Sequence, residues 1–346
     1  MVKIEMESRL KAYLQEQFTD INVKEIKKLR RIHGGASRET YRFEMTYVDS
    51  GVEESRGLIV RRDPEGSLID TERALEFVAY QSFYDTNVPV PLALILEEDK
   101  RWLDRPFFIM EEIENSESAS PFGEPPYGDN AKKIGDKFWW ILGQIAARDV
   151  ESTDMATVVH APARSDCWLR ELNYWEGVIN EDELEPHPLL RAAIRFLRQS
   201  PPQAPEKLSI VHGDYRTGNF LFNAEGDITA ILDWEMCHIG DPHEDLGWAM
   251  NELWAYNSPQ TPCGLIDKSR AISIWEKSSG ITFNEDTYRW WSIFNTIKGL
   301  GIWISSAKEY QQGKNHDPVL ALSAWICTPS HTEILFRQLE EAGATR

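Results

Sequence analysis

The sequence predicts an α+β protein of two lobes, a small β-rich one joined to a larger, mostly helical one. Three observations carry this. The chain of 346 residues is long enough for two lobes and a sizeable core. Runs of β-branched and aromatic residues, separated by turn chemistry, crowd into its first third. From Ala131 onward, apolar and aromatic residues recur at helical spacing. The boundary is expected near residue 113, giving lobes of residues 1–113 and 114–346.

The opening MVKIEMESRLKAYLQEQF is charged and periodic, so it reads as an amphipathic helix and no signal peptide. Strands are expected at 26–32, 40–48 and 56–62, with Thr40, Tyr41, Phe43 and Tyr47 supplying strand-forming side chains and Asp49-Ser50-Gly51 a turn. A helix follows, with Ser67, Asp70 or Thr71 as N-cap and Ala74, Leu75, Val78 and Ala79 on one face. Val88-Pro89-Val90-Pro91 stops it. Strands at 92–97 and 106–113 complete a small antiparallel sheet, and 114–130 reads as a loop. Helices are marked by Phe138, Trp139, Leu142 and Ile145, by Trp168, Leu172 and Trp175, and by 189–199, ended by Pro201-Pro202. The last two are 290–310 and 318–341, the latter broken at Pro329. One irregular stretch, 208–246, interrupts this half.

Composition excludes several classes. With 37 basic and 56 acidic side chains the formal charge is −19, which argues against electrostatic binding of nucleic acid or of an anionic membrane surface. No run approaches the roughly 18 apolar residues of a membrane helix. Cys167, Cys237, Cys263 and Cys327 are scattered without a CxxC pair, as expected of reduced thiols in a cytoplasmic protein. The chain has no G-x-x-x-x-G-K-[ST], H-E-x-x-H or G-x-S-x-G motif.

The chemistry concentrates in Ile210-Val211-His212-Gly213-Asp214-Tyr215-Arg216-Thr217-Gly218-Asn219, followed by Ile231-Leu232-Asp233-Trp234-Glu235. The apolar run before His212 and a second run at 228–232 are expected to pair through a turn at 224–227, holding Asn219 and Asp233 near Asp214. A carboxylate five residues before an amide, with a further carboxylate beyond, suits phosphoryl transfer from a magnesium–nucleotide complex. One carboxylate receives the acceptor's proton, and hard oxygen donors hold the metal.

H-G-D-Y-R-x-G-N-x-L, I-L-D-W-E and G-D-P-x-x-D-L (Gly240 to Leu246) together resemble the aminoglycoside phosphotransferase-like family, closest to its branch fused to acyl-CoA dehydrogenases. The resemblance spans roughly residues 20–340. It implies a protein-kinase-like bilobal fold with ATP and Mg2+ between a nucleotide-binding lobe and a catalytic, acceptor-binding lobe. It implies Asp214 as catalytic base, Asn219 and Asp233 as metal ligands, and Asp245 as a brace for the local backbone. Gly34, Gly35 and Ser37 fall where the family places its loop over the phosphates. Arg61 falls at the family's strand lysine, a departure that the dehydrogenase-fused branch often shows, with Arg62 as the rival inward cation. Glu76, or Glu72, matches the helix glutamate that pairs with it, and Glu111 and Ile113 match the hinge that meets adenine.

Competing readings are structural. His212 reads as a satisfied core histidine, and a metal site from His238, Asp241 and His243 matches no zinc spacing. Asp233 with Glu235 lacks the separation of a glycosidase pair. Trp290, Trp291 and Trp303, near Phe294, are candidates for an acceptor pocket. Arg191, Arg195 and Arg198 form a basic helix face open to a solvated reading. The expected acceptor is a small-molecule hydroxyl, a hydroxyacyl compound by the branch likeness or an amino alcohol or aminoglycoside by the charge, in a monomer or homodimer. The alternative is a nucleotide-binding pseudokinase. A protein kinase is disfavoured because Gly240-Asp241-Pro242 follows Asp233 too soon for an activation segment.

Overall fold

The computed structural model describes residues 3–32, 38–63, 73–255, 258–313 and 317–344. Its small lobe is a five-stranded antiparallel sheet in the order β1-β2-β3-β5-β4, formed by β1 (Asn22–Ile32), β2 (Glu39–Asp49), β3 (Val52–Arg62), β4 (Ala93–Glu97) and β5 (Phe107–Glu111). The first three strands run longer than expected. Asp49 pairs with Val52 across Ser50 and Gly51, both at positive φ, so the hairpin closes in two residues. Most of the extra length of β3 is polar (Glu53, Glu54 and Ser55 are exposed), and apolar alternation therefore does not register it.

Strand alternation decides which cation faces the cleft. Leu58 and Val60 of β3 pack with Phe43, Phe107 and Ile109 against Leu10, Tyr13 and Leu14 of α1 (Lys3–Gln17). Ile59 points the other way, toward Phe77, Tyr80 and Phe83 of α2 (Arg73–Phe83), and Arg61 shares that face. Arg62 therefore turns to Glu39 and the Leu103 carbonyl. The N-cap candidates of α2 and Glu72 lie outside the described residues.

The large lobe contains α3 (Ala131–Ala147), the single-turn α4 (Met155–Val158), α5 (Cys167–Asp182) and α6 (Pro188–Gln199), then short strands β6 (Ser209–Val211), β7 (Phe220–Phe222), β8 (Ile228–Ile231) and β9 (His238–Gly240). Helices α7 (His243–Ala249), α8 (Lys268–Ser279), α9 (Glu285–Gln311) and α10 (Pro318–Glu341) complete it. One apolar core runs from the α2 face of the sheet into α3, α7 and α8, and a second joins α5, α6, α9 and α10.

Three expectations need correction. The turn at 224–227 joins β7 to β8, and the run leading to His212 pairs with β9 instead. Helix α10 continues through Pro329. The missing N–H would have met the carbonyl of Trp325, a residue that is 76% exposed, so the proline falls on the solvent side of the helix. Trp291 and Phe294 are core residues of the buried α9, while Trp290 donates its indole N–H to Leu197 O at 3.2 Å and also borders a cavity of about 330 Å³ beside Leu197 and Asn284. Trp303 donates to His331 Nδ1 at 3.0 Å and borders a cavity of about 650 Å³ between α9, α10 and His187. Arg191 pairs with Glu183 and Arg198 with Glu176, so that basic face is largely engaged by neighbouring acids.

Candidate active site

The site grows from the loop after β6. Asp245, at the start of α7, accepts the His212 and Gly213 N–H groups at 2.7 and 2.9 Å, the bracing role its motif implied. Burial pushes the Asp245 carboxyl up to about 6 despite those bonds. His212 accepts the Asp214 N–H at Nδ1 (3.1 Å), so its Nε2–H donates to Leu232 O at 3.0 Å. Fully buried, it is held neutral, its pKa lowered to about 3 by desolvation. It is a structural histidine that ties the two motif segments together.

Gly213 is required here. Its φ is +82°, and a Cβ would stand 2.3 Å from the Met236 carbonyl oxygen, a backbone atom. Gly213→Ala should cost roughly 3 kcal/mol of stability. A urea midpoint equal to that of the unsubstituted protein would contradict this.

Asp214 is held on both oxygens. Oδ1 accepts from Arg216 Nε (2.8 Å) and the Trp248 indole (2.7 Å), while Oδ2 accepts from Asn219 Nδ2 (2.6 Å) and Arg216 Nη2 (3.0 Å). Burial nevertheless raises its pKa above the ordinary carboxylate value, against the pull of Arg216. Arg216 lies over the Trp254 ring at 4.8 Å, which fixes the guanidinium from its other side. Asn219 joins the second segment through its backbone, Leu232 N–H donating to Asn219 O at 2.8 Å beside the β7–β8 pair.

Asp233 follows β8 at φ +67°, a left-handed conformation that Asp tolerates, with its N–H donating to the Tyr80 hydroxyl at 3.0 Å. Arg61 bridges it to the small lobe, with Nη2 2.8 Å from Asp233 Oδ1 and Nη1 3.2 Å from Glu76 Oε1. Burial opposes the Asp233 charge, but the guanidinium outweighs it and holds the carboxyl below its ordinary value. Glu76 is fully buried and also accepts from Arg38 Nε at 2.7 Å. The structure thus gathers Arg61, Glu76 and Asp233 on one side and Asp214 and Asn219 on the other. Glu111 and Ile113 lie at the exit of β5, and the Glu111 carboxylate takes the Leu92 N–H at 3.0 Å. Gly34, Gly35 and Ser37 lie outside the described residues.

Sequence reasoning misses Arg38, Trp248 and Lys298. Trp248 lies three residues after Asp245, so its helix could have flagged it. Lys298, 1% exposed on α9, donates to Gly213 O at 2.6 Å and carries no local signature. Glu171, His238 and Glu244 bring ligand-type atoms within 4.8 Å of one another. Arg170 lies 2.9 Å from Glu171, Lys298 3.5 Å from Glu244, and the carboxylates hold His238 protonated against burial, with a pKa of about 9. Cations already balance this cluster, which makes it an ion-pair network and a poor metal site. His243 bonds Asp241 instead, at 3.0 Å.

The model of the phosphotransferase enzyme family matches residues 28–266. The chain belongs to that family. Among curated relatives, mouse (Mus musculus) acyl-CoA dehydrogenase family member 10 is 28% identical over 200 residues, covering 56% of this chain and 18% of the relative. The chain spans well under half the length of the curated relatives it matches. Among solved structures, a protein from Ralstonia eutropha JMP134, provisionally assigned as an aminoglycoside phosphotransferase, shares the fold at a TM-score of 0.71 and 20% identity, covering 96% of this chain and 98% of its own. Aminoglycoside phosphotransferase APH(4)-Ia, solved with ADP and hygromycin B, gives a TM-score of 0.59 at 14% identity over 95% and 98% of the two chains. These likenesses place the bilobal, kinase-like fold. Among the described residues no helix is long and apolar enough to cross a membrane.

Proposed function

We propose that this phosphotransferase moves the γ-phosphoryl group of ATP, with Mg2+, to the hydroxyl of a small molecule. The observation that supports this most is the joining of three oxygen-bearing side chains from two segments: Asn219 bonded to Asp214, and tied through Leu232 to Asp233. The donor set fits magnesium. With Asn219 Nδ2 donating to Asp214, its Oδ1 remains as a neutral oxygen donor, and Asp233 adds a carboxylate held ionised. When bound, the metal would neutralise charge developing on the transferred phosphoryl group.

The chain's own residues supply the rest. Asp214, with its raised pKa and both oxygens pinned, orients the acceptor hydroxyl and takes its proton. Arg61 steadies the phosphates. Among the described residues its buried Nε–H has no hydrogen-bond partner, and Glu76 holds the guanidinium in place. Positioning and charge neutralisation supply most of the rate in such a reaction.

The test is ADP release with Mg-ATP across aminoglycosides, amino alcohols, sugars and hydroxyacyl-CoAs, with Asp214→Ala as control. The similarity to acyl-CoA dehydrogenase family proteins favours the hydroxyacyl class. Turnover with one class, lost in the variant, supports the proposal and names the acceptor. If nothing turns over yet Mg-ATP raises the melting temperature, a nucleotide-binding pseudokinase replaces it.

A further inference from the structure

The loop carrying Asp214 is gripped by α7 and α9 from two directions. Its N–H groups at His212 and Gly213 go to Asp245. Its carbonyl at Gly213, in the peptide that leads into Asp214, receives the ammonium of Lys298 at 2.6 Å. Lys298 in turn lies 3.5 Å from Glu244, the neighbour of Asp245 on α7, and over the Trp248 and Trp175 rings at 5.1 and 5.8 Å. Helices α7 and α9 are pinned together at this level, Asn295 Nδ2 donating to Glu244 O at 2.7 Å. A lysine almost wholly removed from water is costly unless each donor finds a partner. Here one partner is the backbone of the loop itself, and Trp248 touches both the lysine and Asp214.

We propose that Lys298 is a positioning residue for Asp214: wedged between Glu244 and the Gly213 carbonyl, it fixes the peptide that carries the carboxylate and so sets where the acceptor proton is received. This rests on the phosphotransferase reading. The rival is that Lys298 only neutralises Glu244, whose other oxygen is bonded to His238 at 3.0 Å. Lys298→Met and the double variant Lys298→Met/Glu244→Gln separate the two, because the double variant removes the charge imbalance without restoring the bond to Gly213.

Three readouts on the full chain are needed: thermal stability, kcat and KM for Mg-ATP hydrolysis with water as acceptor, and hydrogen exchange over residues 212–219. Lys298→Met should melt lower, exchange about tenfold faster in that segment, and lose roughly 10-fold to 100-fold in kcat with KM within twofold, as expected of a misplaced reacting group. The double variant should recover stability while kcat stays low and exchange stays fast. Recovery of kcat and protection along with stability would overturn the proposal, as would a Lys298→Met protein with unchanged kcat. If the unsubstituted protein hydrolyses nothing and phosphorylates no acceptor, the phosphotransferase reading falls and exchange alone judges the clamp. Faster exchange in Lys298→Met then supports it, and equal protection overturns it.

Discussion

Asp233→Ala should lower phosphoryl transfer by about 10³-fold or more, roughly 4 kcal/mol of transition-state stabilisation, while leaving the protein folded. The loss follows from what Asp233 offers under the proposed reading: a carboxylate held ionised by Arg61, one residue after the Leu232 N–H that bonds the Asn219 backbone, where a hard cation would have its charged ligand. The fold should tolerate the change because the backbone at this position is set elsewhere. Its N–H remains bonded to Tyr80, and Arg61 keeps Glu76 at 3.2 Å and Glu235 at 3.6 Å. Alanine at φ +67° adds a local penalty of about 1 kcal/mol, which Asp233→Asn avoids because asparagine tolerates that region. ADP release should therefore collapse in both variants, and magnesium should no longer raise the melting temperature in the presence of ATP. Undiminished turnover in either would overturn the metal assignment.

The site was legible to the extent that its chemistry is local in sequence. Asp214 and Asn219 are five residues apart, and the β7–β8 hairpin brings the segment before Asp233 back beside Asn219, so their meeting is legible even though the pairing expected to produce it is not the one that forms. The same logic misassigned the partner of β8, because two short apolar runs compete for it and only three-dimensional packing selects β7 over β6. Arg61 and Arg62 are indistinguishable as sequence, and the period of a strand with two covered faces separates them. Arg38 and Lys298 escaped because their partners, Glu76 and Gly213, lie 38 and 85 residues away. The tryptophan-rich start of α9 suggests a pocket, but a helix covered on nearly every side needs large apolar residues all round, and packing absorbs Trp291 and Phe294 while Trp290 borders a cavity.

Glu76→Ala should destabilise the protein by about 3–5 kcal/mol, the range for breaking a buried ion pair by removing one partner. Glu76 has no exposed surface, and the two guanidiniums it holds, Arg38 and Arg61, are themselves 3% and 10% exposed. Neither cation can recover its hydration without opening the lobe. Arg38 retains Asp63, while Arg61 retains Asp233 and Glu235, so the pull left on Arg61 is directed toward the large lobe. Mg-ATP should accordingly bind less tightly as the guanidinium leaves its place between β3 and α2. Glu76→Gln, which keeps the volume and one acceptor oxygen, should cost less than Glu76→Ala. The damage should also reach beyond the small lobe. Phe83 of α2 stacks on Trp234 at 4.7 Å, one residue after Asp233, and both belong to the core that continues into α3 and α8. Urea unfolding of Glu76→Ala, followed by circular dichroism, should therefore show one transition at a lower midpoint. An early separate loss of the small lobe would show that the two lobes are coupled less tightly than this core implies, and an unfolding free energy unchanged within about 1 kcal/mol would remove Glu76 as the anchor of both arginines.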